Sequence, residues 1–131
     1  MKNLELINYA IEAKKNAITP TNYRCGAALI TSSGKVYTGC NLGSNDGIFN
    51  ICAEQVAICK MLSEGEVEFE KIAVVGGVDD ELIKTLPCGV CRQLISTFDS
   101  NIEVIAGYLD DGVLREKMYK INELLPESFE M

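Results

Sequence analysis

The spacing of apolar positions switches between helical and strand-like along this chain. Leu4, Ile7, Ala10 and Ile11 recur at three- and four-residue intervals. That spacing predicts an amphipathic helix over residues 3–16, closed by Thr19-Pro20-Thr21. Two apolar-rich segments, 25–31 and 35–40, flank Ser32-Ser33-Gly34, which predicts a hairpin. Residues 41–51, rich in Gly, Asn, Ser and Asp, read as a loop. A second helix is expected from Cys52 to Leu62, stopped by Ser63-Glu64-Gly65. Residues 71–76 form a short buried strand, and a loop holding Asp79-Asp80-Glu81 leads to Thr85-Leu86-Pro87. A third helix then runs from Cys88 to Phe98, followed by a buried strand at 102–107 and a turn at Asp110-Asp111-Gly112. Residues 113–118 give a fifth strand, and 122–129 a short helical tail.

Strands separated by helices imply crossover connections and a largely parallel region of sheet, with helices on its faces. The hairpin adds an antiparallel part. The expectation is an α/β fold: a three-layer α/β/α sandwich with a mixed five-stranded sheet, as a single domain over residues 1–131.

Charge narrows the partners. The formal net charge is −7, and no basic run exceeds Lys14-Lys15. This argues against a nucleic-acid polymer or an anionic membrane and for a small-molecule substrate. No apolar run reaches bilayer length, and Met1-Lys2-Asn3-Leu4-Glu5 does not read as a signal peptide, so a cytoplasmic protein is expected. Six cysteines in a reducing compartment are not read as a disulfide framework. Cys25, Cys40 and Cys59 lie in apolar stretches and are expected to pack as small hydrophobes.

The remaining three carry chemistry. Cys52-Ala53-Glu54 is followed by Pro87-Cys88-Gly89-Val90-Cys91. Structural zinc takes four protein ligands, whereas catalytic zinc keeps one place for water. The chain has no His and no second C-x-x-C pair, so Cys52, Cys88 and Cys91 are expected to hold one zinc ion, with water fourth. Both segments open helices, whose free N–H groups and partial positive charge favour thiolate. Pro87 suits a helix start, where its missing N–H leaves no gap. Three thiolates around zinc sum to −1. Arg92, with five N–H donors for sulfur or backbone acceptors, is expected to temper that charge. Glu54, in the first turn, either complements the helix dipole or carries protons beside the metal; the ligand spacing favours the second. A lone C-x-x-C would also fit a redox protein, but that leaves Cys52 and Glu54 unexplained.

Taken together, Cys52-Ala53-Glu54 and Pro87-Cys88-Gly89-Val90-Cys91-Arg92-Gln93 resemble the two zinc motifs of the small cytidine deaminases, a variant of the H-x-E…P-C-x-x-C deaminase signature. Gly26-Ala27-Ala28-Leu29 resembles that family's first strand, and Glu123-Leu124-Leu125-Pro126 with Phe129 its C-terminal tail. The resemblance runs from about residue 4 to residue 129. It implies hydrolytic deamination of a pyrimidine nucleoside, with Glu54 shuttling protons to the ring nitrogen and the departing amine. Backbone groups around Ala53 and Leu86-Pro87 would hold the amino group and the pyrimidine edge. Asn41 would contact the ribose, though it equally suits a turn at a strand end. Tyr23 would line the pocket or pack at a strand edge. The resemblance also implies a homotetramer in which neighbouring subunits complete each site, Phe129 reaching across to stack near the base.

Three positions depart from the family pattern: Gly43 stands where a ribose-holding Glu is typical, Gly47 where an aromatic is common, and Gln55 where the short members often have Arg. Asp46 offers a substitute carboxylate. The departures favour a second reading, deamination of another aminated heterocycle such as blasticidin S. A non-catalytic zinc or nucleoside-binding module is the alternative from a different class.

Overall fold

A computed structural model describes all residues, 1–131. The hydrophobic periods resolve into α1 (Asn3–Lys14), the hairpin β1 (Tyr23–Thr31) and β2 (Val36–Cys40), and the two-residue strands β3 (Leu42–Gly43) and β4 (Asn50–Ile51). After these come α2 (Ala53–Ser63), β5 (Phe69–Val78), α3 (Gly89–Phe98), β6 (Glu103–Asp110), β7 (Val113–Lys120) and α4 (Ile121–Leu124). No helix is long and apolar enough to cross a membrane.

The main sheet has the order β2-β1-β5-β6-β7. β5 and β6 pair in parallel, and the other three neighbours pair antiparallel. The parallel region is therefore smaller than the helix-strand alternation implies. β2 and β5 do run the same way, as a crossover through α2 demands, but β1 lies hydrogen-bonded between them.

Strand alternation sorts the core into two layers. Ala27, Leu29, Ile72, Val74 and Val104 pack with Ala57, Ile58 and Met61 of α2 and Ile95 of α3. Ala28, Ala73, Val75 and Ile105 face Leu6, Ile7 and Ala10 of α1. Leu6 and Ile7 are essentially unexposed, each stabilising the fold by roughly 1.5–3 kcal/mol through burial. The three layers are thus α1, the sheet, and α2 with α3 and α4.

One glycine fixes how α2 meets the sheet. A Cβ at Gly39 of β2 would lie 2.4 Å from the Ala53 carbonyl oxygen and 2.7 Å from the Ala57 nitrogen. Only a residue without a side chain lets the first turn of α2 rest there.

Two other expectations change. The 41–51 loop contains a short ladder, Leu42 opposite Ile51 and Gly43 opposite Asn50. The helical tail stops at Leu124, one turn into its expected span. Pro126 accounts for the stop, because the residue before proline is pushed out of the helical region.

Candidate zinc and substrate site

The site is built at two helix starts. Cys52 has extended backbone geometry (φ −81°, ψ 153°) and serves as N-cap of α2. Its carbonyl accepts the first helical bond, from the Val56 N–H at 3.1 Å. Its own N–H donates to Gln55 Oε1 at 2.9 Å, half of a capping box. Cys88 caps α3 in the same way (φ −68°, ψ 173°), with its carbonyl accepting from the Arg92 N–H at 2.9 Å. Cys91 lies in the first turn of α3 and is fully buried.

These caps bring three sulfurs together. Cys52 Sγ and Cys88 Sγ are 3.9 Å apart, and all three lie within 4.8 Å of one another. Tetrahedral Zn–S bonds of about 2.3 Å place sulfurs about 3.8 Å apart, so the trio fits one zinc ion. No fourth Cys, His or carboxylate joins the group, which leaves the open position that catalysis needs.

The metal-free electrostatics show what the ion must supply. Burial, with the nearby charges of Glu54 and Cys52, pushes the Cys91 thiol well above its ordinary range. Burial likewise raises Cys52, reinforced by the charges of Cys88 and Glu54. At Cys88, burial opposes ionisation, but hydrogen bonds from the Cys91 and Val90 backbone and from the two other thiols outweigh it and lower the net value. Cys88 is therefore the first of the three to become thiolate, and a dication draws the others into that form. Glu54, 5% exposed, is raised above its ordinary value, chiefly by burial; hydrogen bonds from its own backbone and the Cys91 side chain pull the other way. A carboxyl shifted upward is suited to moving protons near neutral pH.

A cavity of 260 Å³ opens onto this cluster. Cys52, Ala53, Glu54, Leu86 and Cys88 form one part of its lining, and Tyr23, Cys25, Asn41, Asn50 and Thr85 lie among the rest. A larger hollow of 680 Å³, lined by Phe69, Phe98, Asp99 and Lys120 among others, sits at the other end of the sheet. It holds none of the cysteines, so the chemistry belongs to the smaller one. That one lies over the sheet at the carboxyl-terminal half of β5, whose Val74 joins its lining.

The flanking residues divide by what they touch. The Tyr23 hydroxyl is 3.4 Å from Thr85 Oγ1, across the cavity lining. Asn41 faces the cavity but also clamps β1: its Oδ1 accepts from the Cys25 N–H at 2.8 Å and its Nδ2 donates to the Tyr23 carbonyl at 3.1 Å. Asn41 thus holds the end of a strand, as one of its two readings expects, with one amide hydrogen left over. Cys25 packs as expected and also lines the cavity; burial, then the charge of Glu54, pushes its thiol up to about 12.

Arg92 turns to backbone acceptors rather than sulfur. Its Nε donates to the Pro87 carbonyl at 2.7 Å and its Nη1 to the Leu124 carbonyl at 3.0 Å. It ties the zinc-binding turn to α4 and sets its charge beside that turn. Phe129 lies outside the cavity of its own chain and is 72% exposed. Gln93 holds it there, donating from Nε2 to the Phe129 carbonyl at 2.8 Å and accepting from its N–H at 3.0 Å.

The departing positions also have physical accounts. A Cβ at Gly43 would sit 3.2 Å from Pro20 Cδ, and the Gly43 N–H donates to the Ile18 carbonyl at 2.8 Å. The 18–20 segment therefore occupies the flank where a side chain from 43 would begin. Gly47 is a turn residue at φ +76°. Asp46 supplies no replacement carboxylate to the cavity: it takes the Ser44 hydroxyl and the Ile48 N–H, and these hold its carboxyl below the usual range, the hydroxyl most.

Sequence reasoning missed Thr85 and Asn50 in the lining, the cap made by Gln55 and the hold of Gln93 on the Phe129 backbone. Only Gln55 had a signal, its place three residues after the N-cap, obscured because the cap is Cys and not Ser or Thr.

Residues 1–107 match the cytidine and deoxycytidylate deaminase zinc-binding region family. A probable cytidine deaminase from Dictyostelium discoideum is 36% identical over 132 residues, covering 97% of this chain and 86% of that protein. A blasticidin-S deaminase from Bacillus cereus is 30% identical over 102 residues, covering 74% and 73%. The crystal structure of cytidine deaminase from Burkholderia pseudomallei superposes with a TM-score of 0.84 at 34% identity, covering 98% of this chain and 100% of that one.

Proposed function

Because the chain belongs to the cytidine and deoxycytidylate deaminase zinc-binding family, we propose that it is a zinc-dependent hydrolase that deaminates cytidine or deoxycytidine and releases ammonia. The carrying observation is the trio of sulfurs within 4.8 Å, lacking a fourth protein donor, with buried Glu54 beside it. A metal held only for structure has no use for such a carboxyl.

Cys52, Cys88 and Cys91 would hold the zinc, which supplies an acidified water when bound. Glu54 would take the first proton of the attacking water and pass it to the ring nitrogen, then take the second from the hydroxyl now on the ring carbon and pass it to the amine, which leaves as ammonia as the C–N bond breaks. The upward shift of its pKa by burial favours its taking up the proton. Backbone groups at Ala53 and Leu86 meet the pyrimidine edge, and Tyr23 and Asn41 flank the sugar side. The cavity lining includes no Lys or Arg, so a phosphate would meet no countercharge there; this supports a nucleoside over a nucleotide. The exposure of Phe129 and the hold of Gln93 on its backbone support a homotetramer in which Phe129 enters a neighbouring subunit's site.

A second reading, deamination of a different aminated heterocycle of the blasticidin-S type, draws on Gly43, which brings no hydroxyl-binding carboxylate, and on Pro20 beside it. Ammonia release from cytidine, deoxycytidine, blasticidin S and free cytosine, assayed on zinc-loaded protein, separates the two. Strong turnover of cytidine at low concentration supports the first; turnover of blasticidin S alone supports the second. No release from any compound, with one zinc bound per chain, overturns both.

A further inference from the structure

A second cavity, of 310 Å³, lies on the opposite face of the sheet, and deaminase chemistry makes no use of it. β1 separates the two: Tyr23 and Cys25 line the substrate side, while Arg24 between them lines this one with Lys14 and Lys15 of the α1 end. Lys14 is only 4% exposed, and its ammonium donates to the Asp79 backbone carbonyl, which leaves donors to spare. Arg24 Nε is the molecule's one buried side-chain nitrogen or oxygen without a hydrogen-bond partner.

The nearby carboxylates do not resolve this. Asp79 and Asp80 line the cavity, yet the chain's ion pairs are Lys15–Glu12 and Arg115–Asp110. Lysine is almost never fully buried unless paired, and an orphaned buried donor points to a missing water, ion or ligand. An arginine fork matches a carboxylate or phosphate through two parallel bonds, and a lysine adds a point charge. We propose that this cavity binds a small molecule through an oxyanion head group held by Arg24 and Lys14. Asp79 and Asp80 oppose a highly charged ligand, so a singly charged carboxylate fits better than a phosphate dianion.

The test titrates zinc-loaded protein with sodium acetate and, separately, sodium phosphate. The melting temperature is compared with that in sodium chloride of equal ionic strength. The wild type gives a saturable rise with at least one of the two anions, and the stronger one identifies the head group. Arg24→Gln, at a half-buried position, weakens that saturation at least tenfold and leaves cytidine turnover within twofold. Asp80→Asn, which removes a competing negative charge, tightens it. Saturation that persists unchanged in Arg24→Gln places the anion elsewhere, such as at the zinc, and overturns the proposal. So does a wild-type response no greater than that to chloride. Lys14→Met is a further check if it folds; the Arg24 and Asp80 variants decide without it.

Discussion

Gly39→Ala probes how tightly the fold positions Glu54. The new methyl would lie 2.4 Å from the Ala53 carbonyl oxygen, 2.7 Å from the Ala57 nitrogen and 2.9 Å from Val56 Cβ. A carbon–oxygen contact needs about 3.3 Å, so the first turn of α2 must lift by about 0.9 Å. Two of the three nearest atoms are backbone, so no rotamer change relieves the contact. Overpacking of this kind costs about 1–3 kcal/mol of stability. The larger effect is on geometry, because Cys52 and Glu54 ride on the displaced turn and a 1 Å misplacement can cost about 10²-fold in rate. The assay is kcat/KM for cytidine per folded, zinc-loaded chain, beside the urea midpoint. Gly107→Ala is the control: its methyl would meet the Ile7 side chain at 2.6 Å on the α1 face, so it should lower stability and spare turnover. A Gly39→Ala enzyme with wild-type kcat/KM would refute the claim that this close approach positions the catalytic turn.

Zinc affinity should rise with pH through the neutral range, because the raised thiols of Cys52 and Cys91 must lose their protons to bind. Competition with a chelator at several pH values measures this, and a flat profile would contradict it. In metal-free protein the sign reverses: thiol pKa values raised on folding give stability that is full below the ordinary thiol value and lost as pH climbs above it, readable as a falling urea midpoint. Gln93→Ala removes both bonds to the Phe129 backbone. Two lost bonds of about 1 kcal/mol each speed local opening about 30-fold, seen as faster amide exchange at Phe129. Gln93→Glu, which keeps the acceptor, should fall between; an unchanged exchange rate would show that the tail is held by other contacts.

The sequence made the site more legible than the surroundings that hold it. Cysteine spacing exposes a zinc cluster because few arrangements put three thiols and a carboxyl at two helix starts. The same spacing does not reveal that Arg92 reaches Pro87 and Leu124, since a guanidinium is equally suited to sulfur and carbonyl partners until the chain is folded. The principal helices and strands follow from apolar period, yet helix-strand alternation overstates the parallel pairing because it is blind to β1 sliding between β2 and β5. β3 and β4, two residues each, are too short for any period. The Arg24 cavity is invisible in one dimension: it needs the α1 end, one residue of β1 and the turn after β5 to converge.

The most direct test of the account is Glu54→Gln. The amide keeps the shape of the buried side chain but cannot exchange protons as a carboxyl does. Zinc content should stay near one per chain and the melting profile near that of the wild type, while kcat for cytidine falls about 10²–10⁴-fold, the usual worth of a positioned acid–base group. Turnover within a few-fold of the wild type, in protein carrying its zinc, would contradict Glu54 as the proton carrier.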